Sequence, residues 1–223
     1  MSVTMTPEPA DSTASTMHTD ERRVYIVDDD PAVRSSLCWL IESVNLQPKA
    51  FGSAAEFLAA YDPEPISCLI LDVRLPGMSG LELQEHLLAN HIRVPTIVVT
   101  GHGEVSMAVR ALKAGAVNFF EKPFSDQALL DEIQRTLERE QRTRQTRLRR
   151  GDIRARIGRL TPRELEVMNL VVDGMANKQI AADLGLSEKT VEIHRARVME
   201  KTESRSLAHL VKMVLDSRAA DDA

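Results

Sequence analysis

The chain has 223 residues, 43% hydrophobic, 27% charged and only 4% aromatic, with 28 basic side chains against 33 acidic ones and a net charge of −5. That length suits one or two domains whose cores need no disulfides, and ten glycines with ten prolines exclude a collagenous or low-complexity chain. No apolar run reaches the roughly 18–20 residues that span a bilayer, and Cys38 and Cys68 lack metal or disulfide-framework spacing, so the expectation is a reduced, soluble, cytoplasmic protein.

Residues 1–22 read as a disordered extension, Ser/Thr/Pro-rich and without the apolar core of a signal peptide. Short aliphatic runs then alternate with amphipathic stretches. The runs are VYIV (24–27), LQPKAF (46–51), CLIL (68–71), PTIVV (95–99) and VNFF (117–120). Runs this short and this apolar predict strands buried on both faces. Between them, 31–44, 53–61, 79–90 and 104–114 are bounded by Pro, Gly, Ser or Asn and predict helices. Five strands alternating with helices make a doubly wound parallel α/β sheet. A fifth helix is expected from Ser125 as N-cap, with Leu129, Leu130, Ile133 and Leu137 as its stripe. Residues 138–150 extend it as an arginine-rich linker, and Gly151 and Gly158 are expected to break the pattern.

Charge is uneven along the chain. Residues 1–20 carry −3, 21–125 carry −4, 126–159 carry +4, 160–213 are neutral and 214–223 carry −2. A basic belt in the middle hints at an anionic partner for the second half.

From Leu160 the reading is all helical. Thr161-Pro162-Arg163-Glu164 is a capping box with proline at N1. The helix it opens ends near Gly174, a second covers 177–184 before Gly185, Ser187 caps a third over 188–201, and Ser206 caps a fourth over 207–216. Helix, glycine turn, helix is the geometry of a helix-turn-helix. On the third helix, Val191, His194 and Val198 share one side, with His194 read as a core or interface residue. Lys189, Glu192, Ile193 and Ala196 share the other, with Met199 and Glu200 at its far end. On the fourth, Leu207, Leu210, Val211 and Val214 form an apolar stripe, the first two expected in the core.

The chemistry concentrates at predicted strand ends: Asp28-Asp29-Asp30 after the first, Asp72 after the third, Thr100 after the fourth and Lys122-Pro123 after the fifth. In a doubly wound sheet ligands bind at that carboxyl edge. Converging carboxylates repel one another unless a hard divalent cation joins them, which points to Mg²⁺. Lys122 adds a fixed positive charge and Thr100 a hydroxyl. Neither GxGxxG nor GxxxxGK[ST] occurs, which argues against dinucleotide and P-loop chemistry. A dehalogenase-type phosphatase would want an aspartate two residues after its nucleophile, where this chain has Arg74.

VYIVDDD, LILDVRLPGMSG, VVTGHG and FFEKPF resemble, in order and spacing, the receiver domains of two-component response regulators, and residues 160–213 resemble the LuxR/NarL-type helix-turn-helix. Together the chain is similar to response regulators of the FixJ type. The resemblance implies a flavodoxin/CheY-like receiver over 23–137, a basic helical linker over 138–159, a DNA-binding domain over 160–216 and a tail over 217–223. Asp72 would be the phosphoacceptor, and Asp28, Asp29, Asp72 and the backbone carbonyl of Arg74 would hold Mg²⁺. Thr100 and Lys122 would bind phosphoryl oxygens, and Phe119 would turn inward when Thr100 moves. Lys178, Lys189, Thr190, Glu192, Ile193, Arg195, Ala196, Arg197 and Lys201 would face DNA, Glu192 reading bases and the cations holding phosphates. The implied protein is not an enzyme but a transcription regulator, read as an activator. Its partners would be a sensor histidine kinase, double-stranded DNA, RNA polymerase and a second copy of the chain, and no membrane. Dimerisation would use the face bearing Met107, Val109, Ala111, Ala116 and Val117, several of which are expected in the core.

Overall fold

The structure is a computed structural model that describes residues 22–101 and 105–218. The extension expected to be disordered falls, apart from Arg22, outside the described residues, as do His102 and Gly103 of the VVTGHG motif and residues 219–223 of the tail. The chain divides between Gln141 and Arg142 into two compact units.

In the first unit β1 (Arg22–Val27), β2 (Gln47–Phe51), β3 (Ile66–Asp72), β4 (Thr96–Thr100) and β5 (Asn118–Glu121) form one parallel sheet in the order β2-β1-β3-β4-β5. The period-two alternation of β1 and β3 feeds two cores. Val24, Ile26, Cys68, Ile70, Ile97 and Val99 meet Leu37 and Ile41 of α1 (Pro31–Glu42) and Leu129, Ile133 and Leu137 of α5 (Asp126–Ile157) on one face. Tyr25, Val27, Leu69 and Leu71 meet Phe57 of α2 (Ala54–Ala60) and Leu83 and Leu87 of α3 (Gly80–Ala89) on the other. A smaller cluster joins Val73, Leu81 and Val98 to Ala111 of α4 (Val105–Lys113) and Ala116, with Met107 and Phe119 packed on it. Strand order reverses between β1 and β3, and there the carboxyl edge opens a crevice.

Residues 142–218 hold the end of α5 and four further helices, α6 (Pro162–Val172), α7 (Asn177–Leu184), α8 (Glu188–Lys201) and α9 (Leu207–Arg218). The Thr161–Glu164 capping box forms as expected, Ser187 and Ser206 cap as expected, and Gly185 ends α7 in the left-handed region at φ 63°.

Three expectations are corrected. Gly151 does not break the pattern: α5 runs unbroken to Ile157, because Ile153 is buried in the helical core with Ile157 packed beside it, and only at Gly158 does it end. Those contacts outweigh the roughly 1 kcal/mol that an interior glycine costs a helix. Leu207 is not core but 45% exposed, since the inward face of α9 is centred on Leu210, Met213, Val214 and Ser217. Met199, placed on the outward side of α8, packs at the edge of the core around Val191 and Val198.

Candidate functional site

Hydrogen-bond register brings the predicted strand ends together. β1 pairs with β3, β3 with β4 (Asp72 opposite Val99) and β4 with β5 (Thr100 opposite Glu121), so Asp28, Asp72, Thr100 and Lys122 stand at one edge of the sheet. Asp28 is buried and fixed through every oxygen. Its Oδ1 accepts the Asp30 N–H (2.9 Å), its Oδ2 accepts Lys122 Nζ (2.7 Å), and its carbonyl accepts Arg34 Nη1 (2.7 Å). Lys122 also reaches Asp72 Oδ2 at 3.2 Å, while the Arg74 N–H donates to Asp72 Oδ1 at 3.2 Å. Asp30 is taken up as the N-cap of α1, its carboxylate accepting from the Ala32 N–H at 2.8 Å.

Sequence reasoning missed Arg34, one turn into α1, although a cation four residues beyond an aspartate run was the available signal. It also missed Gly80. This residue opens α3 with its N–H bonded to the Val73 carbonyl at 2.9 Å, and a Cβ there would lie 2.0 Å from the Asp72 carbonyl oxygen. No side chain fits in that space, so glycine is required for α3 to start beside Asp72.

Asp28, Asp29 and Asp72 each offer an oxygen within 4.8 Å of the others. Three carboxylates facing one ammonium leave the cluster negative. Burial pushes the Asp72 pKa up, against the Arg74 N–H and Lys122, which pull it down. Burial also works against the Lys122 ammonium, but its bonds to Asp28 and Asp72 prevail and its pKa is raised. An all-oxygen, excess-negative pocket with one exposed member, Asp29, fits a hard dication such as Mg²⁺. Thr100 is fully buried at the end of β4, and Phe119 is half-buried on the neighbouring β5 against the Val98–Ala111 cluster.

In the second unit, Lys178, Lys189, Glu192, Ile193, Ala196 and Arg197 are exposed, and Thr190 is half-buried beside the cap, its Oγ1 2.8 Å from Ser187 Oγ. Three of the expected DNA-facing cations have partners within the protein. Lys189 lies 3.0 Å from Glu192, Arg195 donates to Asn177 Oδ1 at 2.6 Å, and Lys201 pairs with Glu164 at 2.6 Å. Glu164, 1% exposed, is held to a pKa of about 2 by the Lys201 bond and then the Thr161 N–H. His194 sits between the two faces of α8 with Nδ1 buried and unpaired among the described residues.

Residues 24–134 match the family described as response regulator receiver domain, and residues 158–214 match the bacterial regulatory proteins of the luxR family. The chain is 48% identical over 190 residues to nodulation protein W of Bradyrhizobium diazoefficiens, covering 85% of this chain and 84% of that one. It is 45% identical over 192 residues to the transcriptional regulatory protein FixJ of Rhizobium meliloti, covering 86% and 94%. The solved response regulator StyR superposes with a TM-score of 0.80 at 44% identity, over 87% of this chain and 98% of that one. A receiver sheet with its acidic edge, followed by a luxR-family helix-turn-helix, places the chain among the two-component response regulators of the FixJ type, which are transcriptional regulators and not enzymes.

Proposed function

We propose that Asp72 accepts a phosphoryl group from a phosphohistidine of a cognate sensor kinase. The observation that carries this reading is the cluster itself: Asp72 stands between a fixed ammonium at 3.2 Å and two further carboxylates within 4.8 Å, one of them exposed. In the proposed step an Asp72 carboxylate oxygen attacks phosphorus, the P–N bond to the donor imidazole breaks, and the imidazole nitrogen leaves with the electron pair. Mg²⁺, held by Asp28, Asp29, Asp72 and the Arg74 carbonyl, would supply the charge neutralisation that phosphoryl transfer needs. Lys122 offers its ammonium to an oxygen of the transferred group, and Asp28 keeps that ammonium in place. Thr100 then bonds a second phosphoryl oxygen, and the space its hydroxyl vacates admits Phe119.

The modified receiver (23–137) pairs with a second copy over the outer face of α4 and β5. Ala111 and Ala116 are core there, so the apolar contact comes from Val109 and from Leu112, both exposed. The paired helical domains (160–216), joined through the basic stretch 138–159, then present α8 to the major grooves of two half-sites. Exposed Glu192 and Ile193 read base edges, and Lys178, Arg197 and the other named cations hold phosphates. Activation through RNA polymerase in the cytoplasm completes the reading. Among the described residues no helix is long and apolar enough to cross a membrane.

Acetyl phosphate with Mg²⁺ tests the site directly. Intact-mass spectrometry is expected to find one added phosphoryl group on the natural chain and none on Asp72→Asn. Equal labelling of the variant overturns the assignment.

A further inference from the structure

Buried polar side chains in the first unit are few, and one of them bridges two helices. Gln84 on α3 is 4% exposed, and its Nε2 donates to the Ala111 carbonyl of α4 at 3.2 Å. The same carbonyl accepts the Ala116 N–H at 3.0 Å, so both of its lone pairs are used at the point where α4 ends. The Gln84 Oε1, equally buried, has no hydrogen-bond partner among the described residues. The amide cannot be turned over, because that would set Oε1 against the Ala111 oxygen. The Arg110–Glu85 pair at 3.8 Å also joins α3 to α4, and both of its side chains are about two-thirds exposed. Such an exposed pair holds weakly.

We propose that Gln84 is a positioning residue for α4: a single buried bond from α3 fixes where the end of that helix stands. The position suits a switch. Thr100 closes β4 ahead of α4, and the Gln84 bond lies at the helix's far end, near Ala111, so the first turns can move about an end that is held. The consequence for signalling rests on the dimer reading proposed above, in which α4 carries Val109 and Leu112 to the contact.

Gln84→Met keeps the length of the side chain and removes both donor and acceptor. Hydrogen exchange of the unphosphorylated full chain, read by mass spectrometry, is expected to show amides 108–113 exchanging about five- to tenfold faster than in the natural chain. Strands β1 and β3 should be unchanged. Exchange in α4 within twofold of the natural chain overturns the proposal, as does an increase shared equally by the strands. Gln84→Leu is the second variant, expected to behave alike, and failure of both to fold also overturns it. With acetyl phosphate and Mg²⁺, sedimentation velocity should place dimer formation by Gln84→Met at about fivefold lower concentration, and an unshifted concentration refutes the link to signalling. A natural chain that stays monomeric when phosphorylated refutes the dimer reading alone and leaves the exchange result on Gln84 to stand.

Discussion

Glu164 shows how one side chain serves two purposes. Its Oε2 accepts the Thr161 N–H at 2.9 Å, closing the capping box of α6, and also receives Lys201 Nζ from the last turn of α8. Glu164→Gln keeps a side chain able to cap but strands the lysine. The expected cost to the helical domain is about 1–3 kcal/mol near neutral pH, measurable by urea unfolding. The pH dependence has a definite sign. The folded-state pKa of about 2 lies below the ordinary 4.5, so the carboxylate's stabilisation is whole above pH 4.5 and is lost as pH falls toward 2. The variant's stability should be flatter across that window. A variant as acid-sensitive as the natural chain would refute the role. The capping half of this residue was legible in the sequence, because TPRE is a local pattern. The Lys201 half was not, because 37 residues separate the partners and only the folded helix packing brings them together.

Among the elements, α5 and α8 carry the clearest expectations. Gly151 lies exposed inside α5, with nothing within 4 Å of where a Cβ would sit. Gly151→Ala should therefore stabilise the helix by about 0.5–1 kcal/mol, seen as a higher midpoint in denaturant. A lower midpoint would contradict a continuous helix at this position. On α8, Arg197→Ala is expected to weaken binding to all DNA sequences alike and to lower the salt slope by roughly one contact. Glu192→Ala should instead alter which sequence is preferred, by roughly 1–3 kcal/mol per base pair read. An unchanged motif in a selection experiment would show that the reading face is elsewhere. Strands and most helices could be placed to within a few residues from sequence, since period two and period 3.6 are local signals. Two of the three corrected expectations, those at Gly151 and Leu207, share a cause. Each depended on which side of a helix meets the core, and that was decided by Ile153 and by Met213, residues whose burial no local pattern announces.

At the scale of the whole molecule the proposed phosphorylation of Asp72 is expected to alter the state of assembly. Going from 1% to 99% of one state needs about 5.5 kcal/mol of differential stabilisation. A few charge-assisted phosphoryl contacts, each about 1.5–3 kcal/mol, are of that order before any interface is added. Sedimentation velocity on the natural chain should show monomer without a phosphodonor and dimer after acetyl phosphate and Mg²⁺. An unaltered sedimentation coefficient with full phosphorylation would separate the chemistry from the assembly. The acidic edge of the first unit was legible because each member ends a strand, and strand ends can be located one at a time. How tightly Asp28 is bound was not, because its partners Lys122 and Arg34 stand 94 and 6 residues away and act on different atoms of it.

The start of α3 bears on how a saturation library of this gene would be read. Selection for signalling should deplete nearly every codon at Asp72, since in the proposed transfer its carboxylate takes the phosphoryl group, and should deplete them just as thoroughly at Gly80, which has no side chain to contribute. Sorted by tolerance alone the two positions would look equivalent, and a catalytic role would be assigned to both. Abundance of the folded protein would separate them: Asp72→Asn should accumulate normally, whereas Gly80→Ala, with its methyl driven against the Asp72 carbonyl, should be lost from the soluble pool. Intolerance at a glycine of this kind records the shape of the missing atoms and says nothing about chemistry.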